Sequence, residues 1–385
     1  MALFGKKESE PTGLIGVDLG GGGFKVVELT PEKGRLRLGS YGYSEMKKDS
    51  GSEPPLFDDP KKAARVLSRI IKEADIKSTR VNASLPSHSV FHAIITVPQP
   101  KDEKEDWKPL IENQVKKLLP MPLEEMILDT TIIDKHLMPK KEEAKGEKQA
   151  KLESGSLKQG EQIKAENTAK TTRQNVRVLV SGAPRELVGK YVEIFKSSGL
   201  QLTSLETEAF ALIRSLIGKD KARIMIVDVG YERTNITIVA DGLPFLHRSI
   251  KAGGAMVTTM MSKQMGIGYA EAEQVKRDLA LDGGAALPPV LKEAMMPILH
   301  EVKYSLGLYA TQEFNDHQQI EKIIVTGGSG RLPQLDRFLK EELNINVYLG
   351  DPWARIAVPG GLRPVLDEIG PRFAVAIGLA MKEST

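Results

Sequence analysis

Ile15 to Gly20 (IGVDLG) and Ile226 to Gly230 (IVDVG) are the two segments on which the reading of this chain turns. Each runs an apolar stretch into Asp-x-Gly, then a turn and a second apolar stretch, GGGFKVVEL after the first and YERTNITIV after the second. Asp18 and Asp228 therefore end their strands in equivalent places, 210 positions apart. A carboxylate there, with glycine two residues on, lets the turn backbone approach phosphates while the acid holds a hydrated divalent ion. Asp and Gly fill β-turns generally, so one such hairpin says little. Two at matching positions say far more. Gly20 to Gly23 add a run of amides unshielded by side chains, suited to cradling a phosphate. Lys25 follows Asp18 by seven residues and Thr234 follows Asp228 by six. Taken alone, they read equally well as an exposed lysine and a strand threonine.

Further along, Ile324 to Leu335 (IVTGGSGRLPQL) takes a strand into Gly-Gly-Ser-Gly and then a helix, a turn that lets a nucleoside lie against backbone at a helix start. It does not match GxGxxG, and no Gly-Lys-Ser/Thr occurs there, which argues against a P-loop NTPase. Strands are expected near Leu14–Val17, Phe24–Leu29, Val81–Leu85, Arg223–Val227, Asn235–Ala240 and Lys322–Thr326. Helices are expected near Pro60–Ala74, Arg185–Ser198, Glu208–Ile217, Ala270–Ala280, Pro288–Phe314 and Leu332–Leu343, giving an α/β class. A strand over Val90–Val97, a helix over Lys101–Leu119 and strands over Glu125–Ile133 and Val176–Gly182 make a β-α-β-β unit. Within it, Met138 to Gln174 carries nine Lys/Arg and six Glu without one aromatic residue, too little apolar surface to order itself. It reads as a long charged loop inside a domain.

At 385 residues the chain is long enough for two or three domains with ample core. The absence of cysteine excludes disulfides, thiolate zinc sites and thiol chemistry, and fits a reducing compartment. A net charge of +3, with no basic patch interleaved with aromatics, gives no sign of nucleic-acid binding. The longest apolar run, Phe373 to Met381, has nine residues, and MALFGKKESE lacks the apolar core of a signal peptide. Cytoplasmic residence is expected, with membrane association only through a partner. His88 and His92 straddle the start of a predicted strand, and two same-face strand residues four apart lie about 13 Å apart at 3.3 Å per residue, too far to share a metal. Met256, Met260, Met261 and Met265 form a helix stripe that reads as core.

Taken in order, Asp18-x-Gly20 with Lys25, Leu205 to Leu212 (LETEAFAL), Asp228 to Thr234, Gly327 to Leu332 (GGSGRL) and Ala374 to Ala380 (AVAIGLA) resemble the five motifs of the actin and Hsp70 ATPase superfamily. Within it the chain resembles the PilM family, cytoplasmic actin-like proteins of type IV pilus assembly, similar in turn to the division protein FtsA. The β-α-β-β unit follows the VNASLP strand (Val81 to Pro86), where those families carry their subdomain 1C, and no actin-type insertion precedes Pro60. Asp351 to Ile356 (DPWARI) resembles the family's Asn-Pro-Phe stretch. FtsA usually ends in an amphipathic membrane helix, and MKEST at the end of this sequence does not read as one.

The resemblance implies an actin/Hsp70-like ATPase fold of two lobes with an FtsA-type 1C subdomain. Subdomain 1A would comprise 1–87 and 183–220, 1C 88–182 with the charged loop 138–174, 2A 221–258 and 320–385, and 2B 259–319. It also implies ATP and Mg2+ as cofactors. Gly20, Gly21, Gly22, Gly23 and Lys25 would form the first phosphate loop, and Asp228, Gly230 and Thr234 the second, with Asp18 and Asp228 positioning magnesium through water. Glu208 would orient a water or the ion's hydration shell; as a plain glutamate at a helix N-terminus it needs only the dipole. Glu273 and Lys276, in AEQVK, would contact ribose and adenine, and Gly327, Gly328 and Gly330 would flank the adenosine. Where the family commonly has Ser or Thr in the first loop, this sequence has Gly21 and Gly22, so binding with at most slow hydrolysis is expected. The implied role is a scaffold, peripheral on the inner membrane, that docks the cytoplasmic N-terminal tail of PilN and links it to the cytoplasmic motor ATPases. Homo-oligomer or ring formation stays open, as do the alternatives of a polymerising FtsA- or actin-like ATPase and of a small-molecule kinase. The kinase would need a further cleft Asp as base, and the sequence offers none.

Overall fold

In the computed structural model the described residues are 13–45, 56–99, 107–133, 175–281, 287–312 and 318–382. They fall into two compact units, Met1–Val90 with Ala183–Thr385, and Phe91–Gly182.

The first unit uses one sheet pattern twice. β1 (Leu14–Gly20), β2 (Gly23–Glu32) and β3 (Arg35–Tyr43) form an antiparallel meander; β4 (Arg80–Leu85) pairs parallel with β1, and β8 (Gln201–Thr207) parallel with β4. The order is β3-β2-β1-β4-β8. In the second sheet β9 (Ile224–Val229), β10 (Thr234–Ala240) and β11 (Leu243–Ile250) repeat the meander, with β12 (Lys322–Thr326) and β13 (Asn346–Leu349) parallel beside β9, in the order β11-β10-β9-β12-β13. Central β1 and β9 read as near-continuous apolar runs because both their faces are covered. β3, β8, β11 and β13, absent from the sequence reading, are the four edges, where half-exposed polar residues break the pattern. The duplication matches the two Asp-x-Gly segments, and the registers agree: Asp18 lies opposite Lys25, Asp228 opposite Asn235.

α1 (Pro60–Glu73) and α3 (Arg185–Ser197) pack on the first sheet through Ala63, Leu67, Tyr191, Ile194 and Phe195. α5 (Gly254–Met265), α6 (Tyr269–Leu281), α7 (Pro289–Ala310) and α8 (Leu335–Leu343) share a core with the second. In that core Met261 is buried, Met256 and Met260 pack against it, and Met265 is exposed. α8 starts three residues later than the sequence suggested, because Gln334 takes the left-handed conformation at φ 53.

The apolar run near the C-terminus is α9 (Arg363–Ala380), a helix buried almost all round from Phe373 onward. Phe373, Ala376 and Ile377 face Val27, Leu29 and Leu38 of the first sheet, while Ala374, Val375 and Leu379 face the second together with α4 (Glu208–Leu212) and its continuation Ile213–Ile217. Two glycines permit these close approaches. A Cβ at Gly16 would lie 1.9 Å from the Ala376 carbonyl oxygen, and one at Gly378 1.9 Å from that of Ala211. Among the described residues, no helix is long and apolar enough to cross a membrane.

In the second unit, β5 (Phe91–Pro98), β6 (Met126–Ile132) and β7 (Asn175–Pro184) form a sheet in the order β5-β7-β6. α2 (Lys108–Val115) buries Ile111 and Val115 against Ile95, Val97, Val178 and Val180. The helix expected over Lys101–Leu119 is thus shorter at its C-terminal end, and 101–106 lie outside the described residues, as does Met138–Gln174. His92 is on β5, with Nδ1 3.1 Å from Ser181 Oγ. His88, by contrast, sits in a 3₁₀ turn, Ser87–Ser89, and not on a strand.

Candidate functional site

The ends of β1 and β9 bring the duplicated acids to one place in the first unit. Asp18 is nearly buried, with Lys25 Nζ at 3.5 Å and Ser84 Oγ at 3.5 Å. The first turn is a tight hairpin in which Gly23 has φ +121, and a Cβ there would lie 1.9 Å from the Ser44 carbonyl, so only glycine fits. Its tip meets the second hairpin: a Cβ at Gly22 would be 2.7 Å from Tyr231 Cβ, and one at Gly21 3.4 Å from Glu232 Oε2. Gly20 lies under Lys25, whose Nζ would be 2.9 Å from an added Cβ.

In the second hairpin, the Gly230 amide donates to the Arg233 carbonyl at 2.8 Å. The Gly230 and Tyr231 carbonyls accept the Gly254 and Ala255 amides at 3.0 and 2.8 Å, docking the start of α5 on the turn. Thr234 is fully buried and its hydroxyl donates to the Ala252 carbonyl at 2.5 Å. Alternation along β10 puts it on the face opposite Asp228, whereas Asn235 shares the face of the acid. Burial, followed by the nearby charge of Asp18, raises the Asp228 carboxyl to about 6; Lys25 and a hydrogen bond from Asn235 act the other way.

Glu208 opens α4. Its Oε2 accepts the Ser87 amide at 3.2 Å and Asn235 Nδ2 at 3.1 Å. Burial, then the charges of Asp18 and Asp228, push this carboxyl up to about 8. The three acids thus feel one another, with Lys25 beside them. Among the described residues, no three His, Asp or Glu side chains converge closely enough to hold a metal directly. Mg2+ keeps most of its waters and is usually held by one or two carboxylates plus substrate phosphates, so this spacing fits an ion held through water.

On α6, Lys276 Nζ is nearly buried and donates to Glu273 Oε2 at 2.6 Å, Thr258 Oγ1 at 2.7 Å and the Gly254 carbonyl at 3.2 Å. Burial lowers the Lys276 pKa although Glu273 opposes it. Burial alone would raise the Glu273 carboxyl, but Lys276, Thr258 and Arg277 more than offset this and hold it below its ordinary value. The glycine turn after β12 reaches the same place. A Cβ at Gly327 would lie 2.3 Å from Asp228 Oδ1, the Ser329 amide donates to the Val229 carbonyl at 2.8 Å, and a Cβ at Gly254 would touch Ser329 Oγ. Gly328 is open apart from Arg372 Cβ, and Gly330 is folded back on the Thr326 carbonyl. Glu45, just beyond β3, forms an ion pair with Arg277 at 3.7 Å and accepts a hydrogen bond from Arg372 at 3.4 Å, tying α6 and α9 to the first sheet. The structure therefore gathers Asp18, Lys25, Asp228, Glu208 and the tips of both hairpins, with Glu273, Lys276 and the third turn alongside; it adds Asn235, Tyr231, Ser87 and Thr258.

A family model described as type IV pilus assembly protein PilM matches residues 16–145 and 163–384. The chain belongs to the PilM family of type IV pilus assembly proteins. Among solved structures, it is similar to a PilM-PilN type IV pilus biogenesis complex at 22% identity and TM-score 0.73, over 96% of this chain and 97% of that one. It also resembles MreB 5 of Spiroplasma citri bound to AMPPNP, at 13% identity and TM-score 0.52, over 96% and 95% of the two chains. The ethanolamine utilization protein EutJ of Carboxydothermus hydrogenoformans matches at 14% identity and TM-score 0.50, over 97% and 91%. The fold is the actin-like ATPase fold shared with these PilM and MreB structures, and the duplicated sheets crossed by α4 and α9 are how this PilM-family sequence builds it.

Proposed function

We propose that this PilM-family chain binds ATP with magnesium between its two Asp-x-Gly hairpins and uses the nucleotide as a structural ligand while docking the cytoplasmic N-terminal tail of a PilN-type inner-membrane protein. The observation that carries the nucleotide half is the convergence of Asp18, Asp228 and Glu208, each contributed by an element at the equivalent end of a duplicated sheet or the helix beside it. Asp18 and Asp228 would hold the hydrated ion and Lys25 a phosphate oxygen. Lys276 and Glu273 would face the ribose, and the open Gly328 the adenosine. When bound, the magnesium ion would supply the positive charge that the acids lack, and the nucleotide would lie between the two hairpins. Family membership and the likeness to a PilM-PilN complex support the tail-docking half. The second unit would be the 1C subdomain, and the protein a cytoplasmic scaffold peripheral to the inner membrane, connecting the tail to the pilus motor. Turnover should be slow: Gly21 and Gly22 offer no hydroxyl to select a transition state, and Glu208 Oε2 is already engaged by two donors. Calorimetry of magnesium-ATP, then of a PilN-tail peptide with and without nucleotide, tests this. Tail affinity indifferent to nucleotide would remove the structural-ligand role, and no nucleotide binding would remove the site.

A further inference from the structure

Asn235 occupies in the second half the place that Lys25 occupies in the first, directly across the hairpin from the strand-end aspartate. Its amide reaches an acid from each half, donating through Nδ2 to Glu208 Oε2 at 3.1 Å and lying beside Asp228, its register partner on the same face of the sheet. The orientation of the amide is fixed from the other side. Ser249, its cross-strand neighbour on β11, accepts Arg233 Nε at 2.9 Å through Oγ, so the hydroxyl hydrogen is free to go to Asn235 Oδ1 at 2.7 Å. A carbonyl that accepts from Ser249 leaves both N–H groups for the carboxyls. The Ser249 carbonyl also accepts Arg233 at 3.4 Å, which anchors the row to the second hairpin itself. Glu208 belongs to the helix after β8 of the first sheet and Asn235 to the second sheet, so this one side chain spans the floor between them.

We propose that Asn235, oriented by Ser249 and Arg233, is a positioning residue for the divalent ion: its amide holds the Asp228 and Glu208 carboxyls at a fixed spacing so that their remaining oxygens meet the hydrated ion of a bound nucleotide. This rests on the nucleotide reading above. It assigns Asn235 no contact with the nucleotide, so its effect should fall on the gain that magnesium gives and not on the nucleotide alone.

The test is calorimetry of ADP binding to the full chain, in magnesium and in EDTA, for wild type, Asn235→Ala, Ser249→Ala and Ser249→Thr. The expected result is a magnesium-dependent gain in the wild type that falls about tenfold in Asn235→Ala, the scale of one lost charge-assisted hydrogen bond. Ser249→Ala should lose part of the gain, and Ser249→Thr, which keeps the hydroxyl, should retain it. Affinity in EDTA should stay within about twofold throughout, since the nucleotide contacts are untouched. Should Asn235→Ala fail to fold, the Ser249 pair decides, because neither variant disturbs the amide's place in β10. Full magnesium gain in both alanine variants overturns the proposal and leaves the nucleotide reading intact, whereas a wild type that binds no ADP in either buffer overturns both.

Discussion

Replacing Gly378 with alanine probes the crossing on which the two sheets are hung. In an ordinary helix interior this change is favourable by about 1 kcal/mol, because alanine loses less conformational freedom on folding than glycine does. At Gly378 the new methyl would lie 1.9 Å from the Ala211 carbonyl oxygen and 2.5 Å from its carbon, both backbone atoms of α4. Opening the crossing to normal contact requires α4 and α9 to separate by more than about 1 Å, and overpacking of that kind costs roughly 1–3 kcal/mol. The parting helices also loosen Leu212, Ala374, Val375 and Leu379, which share one buried cluster. The net expectation is a loss of about 1 kcal/mol, and up to about 2, read as a lower urea midpoint at unchanged slope. Gly189→Ala is the control: it lies within α3, a methyl there meets nothing within 4 Å, and the variant should gain about 0.5–1 kcal/mol. Because α4 begins at Glu208, Gly378→Ala should also weaken magnesium-ATP binding. If both variants move the urea midpoint upward, the crossing is looser than argued and the packing account of α9 is wrong.

Asp228→Ala should weaken magnesium-ATP at least about tenfold by removing the ion's anchor, and unchanged affinity in calorimetry would take Asp228 out of the site. Lys276→Met should cost about 1–2 kcal/mol, since the Glu273 carboxyl loses its most buried partner but keeps Arg277 and Thr258; a urea midpoint equal to wild type would show that the pair contributes nothing. Burial holds the His92 imidazole down at about 4, so folding favours its neutral form: the resulting stability is complete above about pH 6.5 and falls progressively as pH drops toward 4. That shift amounts to up to about 3 kcal/mol, and His92→Phe should flatten this part of the urea-midpoint profile, whereas parallel wild-type and variant profiles would refute it.

The sequence made the duplicated frame legible because Asp18 and Asp228 each close a strand that is apolar on both faces, and such strands sit only at the centre of covered sheets. The edges were hidden for the complementary reason. β3 and β8 mix arginine, serine, threonine and glutamate with apolar residues in a way that loops also do. Within the site, the family resemblance places Thr234 in the second phosphate loop, yet its hydrogen bond goes to Ala252 on the far face. The signal that points to Asn235 was present, since it follows Asp228 by seven residues as Lys25 follows Asp18. Position in the hairpin is the more telling feature here, since the residue type changes from lysine to asparagine while the register does not. Ser87, Ser249 and Thr258 were beyond reach, because nothing local in a sequence says that Ser87 lies beside Glu208 across 121 positions.

The two halves share a register but not a charge, and this bears on how the acids divide their work. Opposite Asp18 stands a lysine, so that carboxylate already has a cation at 3.5 Å. Opposite Asp228 stands a neutral amide, and the next acid, Glu208, is held by the same amide and by a backbone N–H. Burial, and after it the charge of Asp18, makes Asp228 and Glu208 both titrate high, and proton uptake relieves part of that cost. A hydrated divalent ion would relieve it further, by answering both carboxyls at once. Under the proposed nucleotide site, Lys25 of the first hairpin would answer an anion and Asp228 of the second a cation, a division that would suit a ligand carrying phosphates at one end of an ion and water at the other.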